Sequence, residues 1–182
     1  MGKRSSFDLK PRDFYRTIDP SAMVPEFIKR VKGRTFAEPF CGDGALIDLL
    51  NREGLLHVLA CDIVPQGRYD AACYRKDALT LQPKHLDYAD TIITNPPYTW
   101  DVFNDSLSHL KSISQRPIWL LLPADWMHNK RVASHMKDCK TVISIGRLYW
   151  EENKVKGKDN YCWYEFINGW DHETVFIPRV SG

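Results

Sequence analysis

The chain has 182 residues, 43% of them hydrophobic and 12% aromatic, which is enough for one domain with a sizeable core and too much for a chain dominated by disorder. Its 25 lysines and arginines against 23 aspartates and glutamates leave a formal charge of +2, so the distribution of charge, and not its sum, has to speak for or against a polyanionic partner. The five cysteines, Cys41, Cys61, Cys73, Cys139 and Cys162, are odd in number and lack C-x-x-C spacing, which argues against a disulfide framework or a zinc knuckle and for a reducing cytoplasm.

No apolar run reaches membrane-spanning length, and "MGKRSSFDLK" lacks the apolar stretch of a secretory signal. It does meet the loose myristoylation pattern M-G-x-x-x-[ST], which many sequences satisfy by chance. There is no internal repeat. Residues 1–20 are polar, basic and aperiodic, and read as an extended arm. Pro25 suits a first helical turn, Phe27, Ile28 and Val31 follow at helical spacing, and Gly33 supplies a stop. "RTFAE" (34–38) reads as a short buried strand. "GALIDLLNREG" (44–54) reads as a helix with a Leu46, Leu49, Leu50 stripe, closed by Gly54.

"LLHVLACD" (55–62) is a second strand, a third is expected just before Asp77, and "TIITN" (91–95) is a fourth. "DVFNDSLSHLKSI" (101–113) places Val102, Phe103, Ser106, Leu107, Leu110 and Ile113 on one helical face. "PIWLLLP" (117–123) is a continuous apolar run, as in a strand covered on both sides. "NKRVASHMKDC" (129–139) reads as helical, and "TVISIG" (141–146) and "YCWYEFIN" (161–168) as the last strands. Alternating strands and helices predict a single α/β domain over 1–182, a doubly wound, Rossmann-like and mostly parallel sheet with helices on both faces.

In such a sheet, ligands sit beyond the carboxyl ends of the strands. The residues after successive strands are "EPFCGDG" (38–44), Asp62 in "ACDIV", Asp77 in "RKDAL" and "NPPY" (95–98). Gly42 and Gly44 form G-x-G at the start of a helix, where a ligand can approach the backbone closely. The third glycine of a dinucleotide fingerprint is replaced by Ile47, and Asp43 puts negative charge where a pyrophosphate would lie. The loop therefore suits a nucleoside without phosphates. Asp62 follows at the spacing of an acid that accepts bonds from ribose hydroxyls; an isolated aspartate would read as a helix cap.

Together and in this order, "EPFCGDG", "CDIV", "KDAL" and "NPPY" resemble the class I S-adenosylmethionine-dependent methyltransferases, and among them the enzymes that methylate the exocyclic amine of adenine in DNA. The resemblance spans residues 14–167 and implies an antiparallel last strand. It implies that Phe40, Gly42 and Gly44 line the methionine part of S-adenosylmethionine, with Glu38 and Pro39 beside it. It further implies that Asp62 holds the ribose, Ile63 packs on the cofactor's adenine, and Asp77, beside Ala78, bonds that ring's amine. "DFYRT", containing Tyr15, is similar to the upstream motif that covers the cofactor carboxylate.

The NPPY corner then has a chemical reading. An aromatic amine is a poor nucleophile because its lone pair is delocalised into the ring. The Asn95 side-chain oxygen and the Pro96 carbonyl can accept its hydrogens, Pro96 and Pro97 preset the backbone, and Tyr98 can stack on a flipped base. No metal is needed, and the six histidines show no metal spacing. Cys41 as a nucleophile would need the Pro-Cys corner of ring-carbon methylation, so it reads as a small buried residue. Trp126, following the fifth strand, either touches substrate or packs under its loop. Lys130, Arg131, Lys154, Lys156 and Lys158 are candidate phosphate contacts; a solvated hairpin tip is the alternative for the last three.

Nothing after NPPY is long enough for a separate target-recognition domain. That is the pattern of small phage-type or orphan enzymes and leads us to expect a short or relaxed target site on DNA in the cytoplasm of a bacterium or infected host. RNA-base, cytosine-amine and protein-glutamine methyltransferases share the corner. A non-catalytic cofactor-binding subunit or decoy is the reading of another class.

Overall fold

In the computed structural model, residues 15–66 and 73–179 are described. The myristoylation pattern and residues 1–14 of the expected arm lie outside them. The strands in chain order are β1 (Thr35–Glu38), β2 (Leu56–Asp62), β3 (Tyr74–Arg75), β4 (Thr91–Thr94), β5 (Ile118–Pro123), β6 (Cys139–Arg147), β7 (Asn160–Phe166) and β8 (Val175–Ile177). They form one sheet in the order β3-β2-β1-β4-β5-β7-β6-β8. Every pairing is parallel except those of β7, which runs antiparallel to both β5 and β6. The doubly wound sheet and its antiparallel member are therefore present.

The unbroken apolar run of β5 has a simple cause. Trp119 and Leu121 enter one buried cluster, while Ile118, Leu120 and Leu122 enter the other, on the opposite face. The helices are α1 (Pro25–Val31), α2 (Ala45–Arg52), α3 (Trp100–Ile113) and α4 (Ala133–Met136). Phe27 and Val31 of α1 join Leu46, Ile47 and Leu50 of α2 on the Trp119 face, with Phe27 stacked on Trp163 at 4.2 Å. Phe103, Leu107 and Leu110 of α3 cover the other face.

Four expectations need correction. Val102 of α3 is 43% exposed and not part of the buried stripe, because the first turn of the helix overhangs the cavity beyond the strand ends. The segment 129–139 is a 3-10 turn (Lys130–Val132) followed by the four-residue α4; the Asn129 side chain accepts from the Arg131 N–H and tightens the entry. Where a helix would join β3 to β4, the chain instead makes 3-10 turns at Ala78–Thr80 and Pro83–Leu86, the first capped by Asp77 and the second opened by Pro83. β8 adds a strand beside β6 that three half-exposed residues did not announce.

One pairing is not expected from the cysteine pattern: the sulfurs of Cys41 and Cys73 lie in contact. They lie 32 positions apart, and only the sheet order β3-β2-β1 brings them together. Cys61, Cys139 and Cys162 are free and buried, and burial pushes their thiols up to about 12, about 12 and about 11. These are inert thiols.

Candidate active site

The carboxyl ends of β1, β2, β3 and β4 open on one cavity of about 730 Å³. Its floor is the turn after β1. Gly42 (φ 53°) and Gly44 (φ 80°) are both left-handed, conformations that cost glycine little and other residues more, and Gly44 is the N-cap of α2. Asp62, at the end of β2, braces this turn: its carboxylate accepts from the N–H of Gly42 at 2.9 Å and of Val64 at 2.8 Å. Each oxygen keeps acceptor capacity for a hydroxyl on the cavity side.

Glu38 is 1% exposed, and its Oε2 has no hydrogen-bond partner among the described residues. Burial, reinforced by the charges of Asp62 and Asp43, drives its carboxyl well above the usual range. A buried, unsatisfied acceptor that lines a cavity marks a place for a donor or cation. Ile63 (58% exposed) and Leu79 (41% exposed) line the same cavity as Val102, so its wall carries three exposed apolar side chains. Asp77 combines two roles, since it caps the Ala78–Thr80 turn through the Leu79 N–H at 2.9 Å and also lines the cavity.

Of the residues singled out in the sequence, Tyr15, Glu38, Phe40, Gly42, Asp62, Ile63, Asp77, Ala78, Asn95 and Pro97 line this cavity. Pro39, Gly44, Pro96 and Tyr98 belong to the same turns but do not line the cavity, and Pro96 is buried. The Asn95 Nδ2 donates to the Tyr15 carbonyl at 3.0 Å and to Thr17 Oγ1 at 3.1 Å. The Tyr98 hydroxyl donates to Asn95 Oδ1 at 2.7 Å. The Tyr98 ring stacks on Tyr15, with centroids 5.8 Å apart and planes 20° off parallel. Trp150 meets Tyr15 edge-on at 6.0 Å and Tyr161 edge-on at 4.8 Å.

The lysines at 154, 156 and 158 are all exposed on the long β6–β7 connection. That connection is tied to the active edge by an Arg16–Glu152 ion pair at 3.2 Å and by the Tyr149 N–H donating to Asp19 at 3.1 Å. Lys130 and Arg131 are exposed after β5, with the Arg131 guanidinium 6.0 Å over the Trp100 ring. Trp126 packs edge-on against Phe103 at 4.9 Å and Tyr164 at 5.5 Å, which is the packing alternative.

Sequence reasoning missed Arg16, Thr17, Asp101 and Asp105, all of which line the cavity. Arg16 pairs with Asp43 at 2.6 Å and so compensates the charge of the glycine turn. A signal for the acids was visible: Asp101 and Asp105 are like charges at i,i+4 on α3, an arrangement that costs helix stability. Arg16 and Thr17 stood inside "DFYRT" without a partner that spacing could name.

No family model matches the sequence, and no curated protein matches it either. Solved structures do. A candidate RNA methyltransferase from Pyrococcus horikoshii superimposes with a TM-score of 0.62 at 15% identity, over 91% of this chain and 94% of that one. The type IIG restriction endonuclease BpuSI gives 0.61 at 10% identity, over 98% of this chain but 28% of its own. The modification subunit of a candidate type I restriction enzyme from Vibrio vulnificus YJ016 gives 0.54 at 9% identity, over 93% of this chain and 48% of its own. The chain thus spans about a quarter and about half of the last two. At these identities the likeness is one of fold: the chain has the mixed α/β sheet with one antiparallel strand that these proteins share.

Proposed function

We propose that this chain transfers a methyl group from S-adenosylmethionine to the exocyclic amine of adenine in DNA. The observation that carries the reading is the meeting, in one cavity, of the Asp62-braced glycine turn and the Asn95 amide at the end of β4. The cavity fits the cofactor chemically. Asp43, Asp62, Asp77, Asp101 and Asp105 outnumber Arg16 and Arg75 in its lining, beside the buried Glu38 carboxyl, whose proton a cationic group would displace. Such a lining favours a ligand bearing sulfonium and ammonium charges and disfavours a diphosphate. Asp62 would hold the ribose, Glu38 would receive the ammonium side, and Ile63, Leu79 and Val102 would pack on the adenine, with Asp77 near its amine.

When bound, S-adenosylmethionine supplies a methyl on a sulfonium, a good leaving group. The protein's own part is alignment. Asn95 Oδ1 accepts one amine hydrogen through the lone pair that Tyr98 leaves free, and the Pro96 carbonyl accepts the other. Pro96 and Pro97 hold these acceptors in place, and a flipped base would reach the Tyr98 ring by taking the place of Tyr15, which is stacked on it. Lys154, Lys156, Lys158, Lys130 and Arg131 would bind phosphates of the nucleic acid. The target site would be short or relaxed, because phosphate-binding lysines supply affinity but little sequence information.

The test is incubation with methyl-labelled S-adenosylmethionine and DNA, RNA or protein, followed by digestion and chromatography of the labelled unit. N6-methyladenine from DNA is the expected product. Label in RNA would support the second reading, which the fold likeness to the Pyrococcus protein favours. Label in cytosine or glutamine would move the substrate assignment, and binding without turnover would mark a cofactor-binding subunit.

A further inference from the structure

An amide side chain has two ends of almost equal shape and opposite hydrogen-bonding character. Turned one way, Asn95 offers its oxygen to a substrate amine. Turned the other way, it offers hydrogens to hydrogens and the corner holds no side-chain acceptor. Something has to choose between these states.

The N-terminal strap, residues 15–19, makes that choice. The Tyr15 carbonyl is an acceptor only, so it can face only the NH2 end; it does so at 3.0 Å. Thr17 Oγ1 accepts the second amide hydrogen at 3.1 Å. Thr17 is 3% exposed, so its hydroxyl is held in place where it lines the cavity. Both donors of the amide are consumed by residues 78 and 80 positions away, and Oδ1 is left turned toward the Tyr98 hydroxyl. The strap is anchored independently of Thr17. Asp19 accepts from the Ser21 N–H at 2.9 Å and from the Tyr149 N–H at 3.1 Å, and the Ala22 carbonyl accepts from the Trp163 indole at 2.8 Å.

We infer that Thr17 is a positioning residue for methyl transfer: with the Tyr15 carbonyl it locks the Asn95 amide so that its oxygen faces the substrate amine. The inference rests on the reading of Asn95 as the amine acceptor. Removing the Thr17 acceptor deprives one amide N–H of its protein partner, and the lock loosens.

Thr17→Val keeps the branched shape and removes the hydroxyl; Thr17→Ser keeps the hydroxyl; Thr17→Ala repeats the deletion with a smaller side chain should the valine form fail to fold. Each is compared with wild type and Asn95→Ala for kcat and KM on a random-sequence DNA duplex, for S-adenosylhomocysteine affinity by calorimetry and for melting temperature. The Asn95 side-chain NH2 resonances, assigned by their loss in Asn95→Ala, report the bond directly. The expected result is a roughly tenfold fall in kcat for Thr17→Val, the loss of about one hydrogen bond, with KM and S-adenosylhomocysteine affinity held, the amide resonances shifted and most of kcat restored in Thr17→Ser. Full kcat in Thr17→Val or Thr17→Ala, with Asn95→Ala inactive, overturns the role of Thr17 alone. A loss that instead follows S-adenosylhomocysteine affinity or melting temperature, unrestored by serine, also overturns it. Near-normal turnover in Asn95→Ala overturns both this inference and the reading beneath it.

Discussion

Glu38 shows at the scale of one residue how a buried acid costs stability. Its carboxyl is buried without a partner for Oε2, and its pKa stands above the ordinary value of 4.5. The stability this group allows is therefore fullest below pH 4.5 and is lost as pH rises toward the shifted value. Glu38→Gln removes the titration. Thermal melts of the ligand-free protein should show the variant more stable than wild type at pH 8, with the advantage shrinking toward pH 5; calorimetry should show weaker S-adenosylmethionine binding. An unchanged melting curve at pH 8 would count against a buried, strained acid.

The proposed function gives Asp62 and Asn95 different tasks in the cavity. Asp62→Ala removes a charged acceptor, worth roughly 1.5–3 kcal/mol per hydrogen bond, so S-adenosylhomocysteine should bind about tenfold to hundredfold more weakly. It also releases the Gly42 and Val64 N–H groups, so the glycine turn should loosen with it. Asn95→Ala should leave that affinity nearly intact and lower turnover by on the order of a hundredfold, the typical cost of one positioned hydrogen-bonding group. The two variants measured side by side, with calorimetry for one function and labelled methyl transfer for the other, should show opposite patterns.

Among the elements, α4 is too short to be stable by itself and is held by docking on α3. His135 Nε2 donates to Asn104 Oδ1 at 3.0 Å, and its ring meets Phe103 edge-on at 6.2 Å. Burial lowers the His135 pKa below the ordinary 6.5, with the charge of Lys111 acting in the same direction and that of Asp138 opposing. The unfolded chain then binds a proton that the folded chain resists. Stability is present above pH 6.5 and is lost as pH falls toward the depressed value. Urea titrations at pH 7.5 and 5.5 should show a larger acid penalty for wild type than for His135→Gln. Equal penalties would mean that His135 stays neutral in both states or is solvated.

At the scale of the molecule, carboxylates collect in the cavity, while the β6–β7 connection exposes Lys154, Lys156 and Lys158 in alternation with neutral residues and beside the equally exposed Glu151, Glu152 and Asp159. Lysines on a loop bind phosphates, which give affinity but little sequence information. Replacing the three by glutamine should flatten the dependence of log Kd for duplex DNA on log salt by about two to three units. Mapping of modified adenines on a random-sequence duplex library should find many contexts. One motif of five or more fixed bases would require a base-reading surface that these lysines do not supply.

Local pattern carried much of this protein. The alternation of apolar runs and helical stripes specified the doubly wound sheet, and acidic and glycine residues just after successive strands marked the turns that line the cavity, because in a parallel sheet those turns share one edge. What sequence could not carry were contacts made by sheet order. The Cys41–Cys73 contact, the Arg16–Asp43 ion pair and the Asn95 bonds to Tyr15 and Thr17 join residues 32, 27, 80 and 78 positions apart. No periodicity relates such pairs. They meet because β1 lies between β2 and β4, and because the strap ahead of α1 crosses the ends of those strands; only the folded sheet decides that a threonine at 17 faces an asparagine at 95.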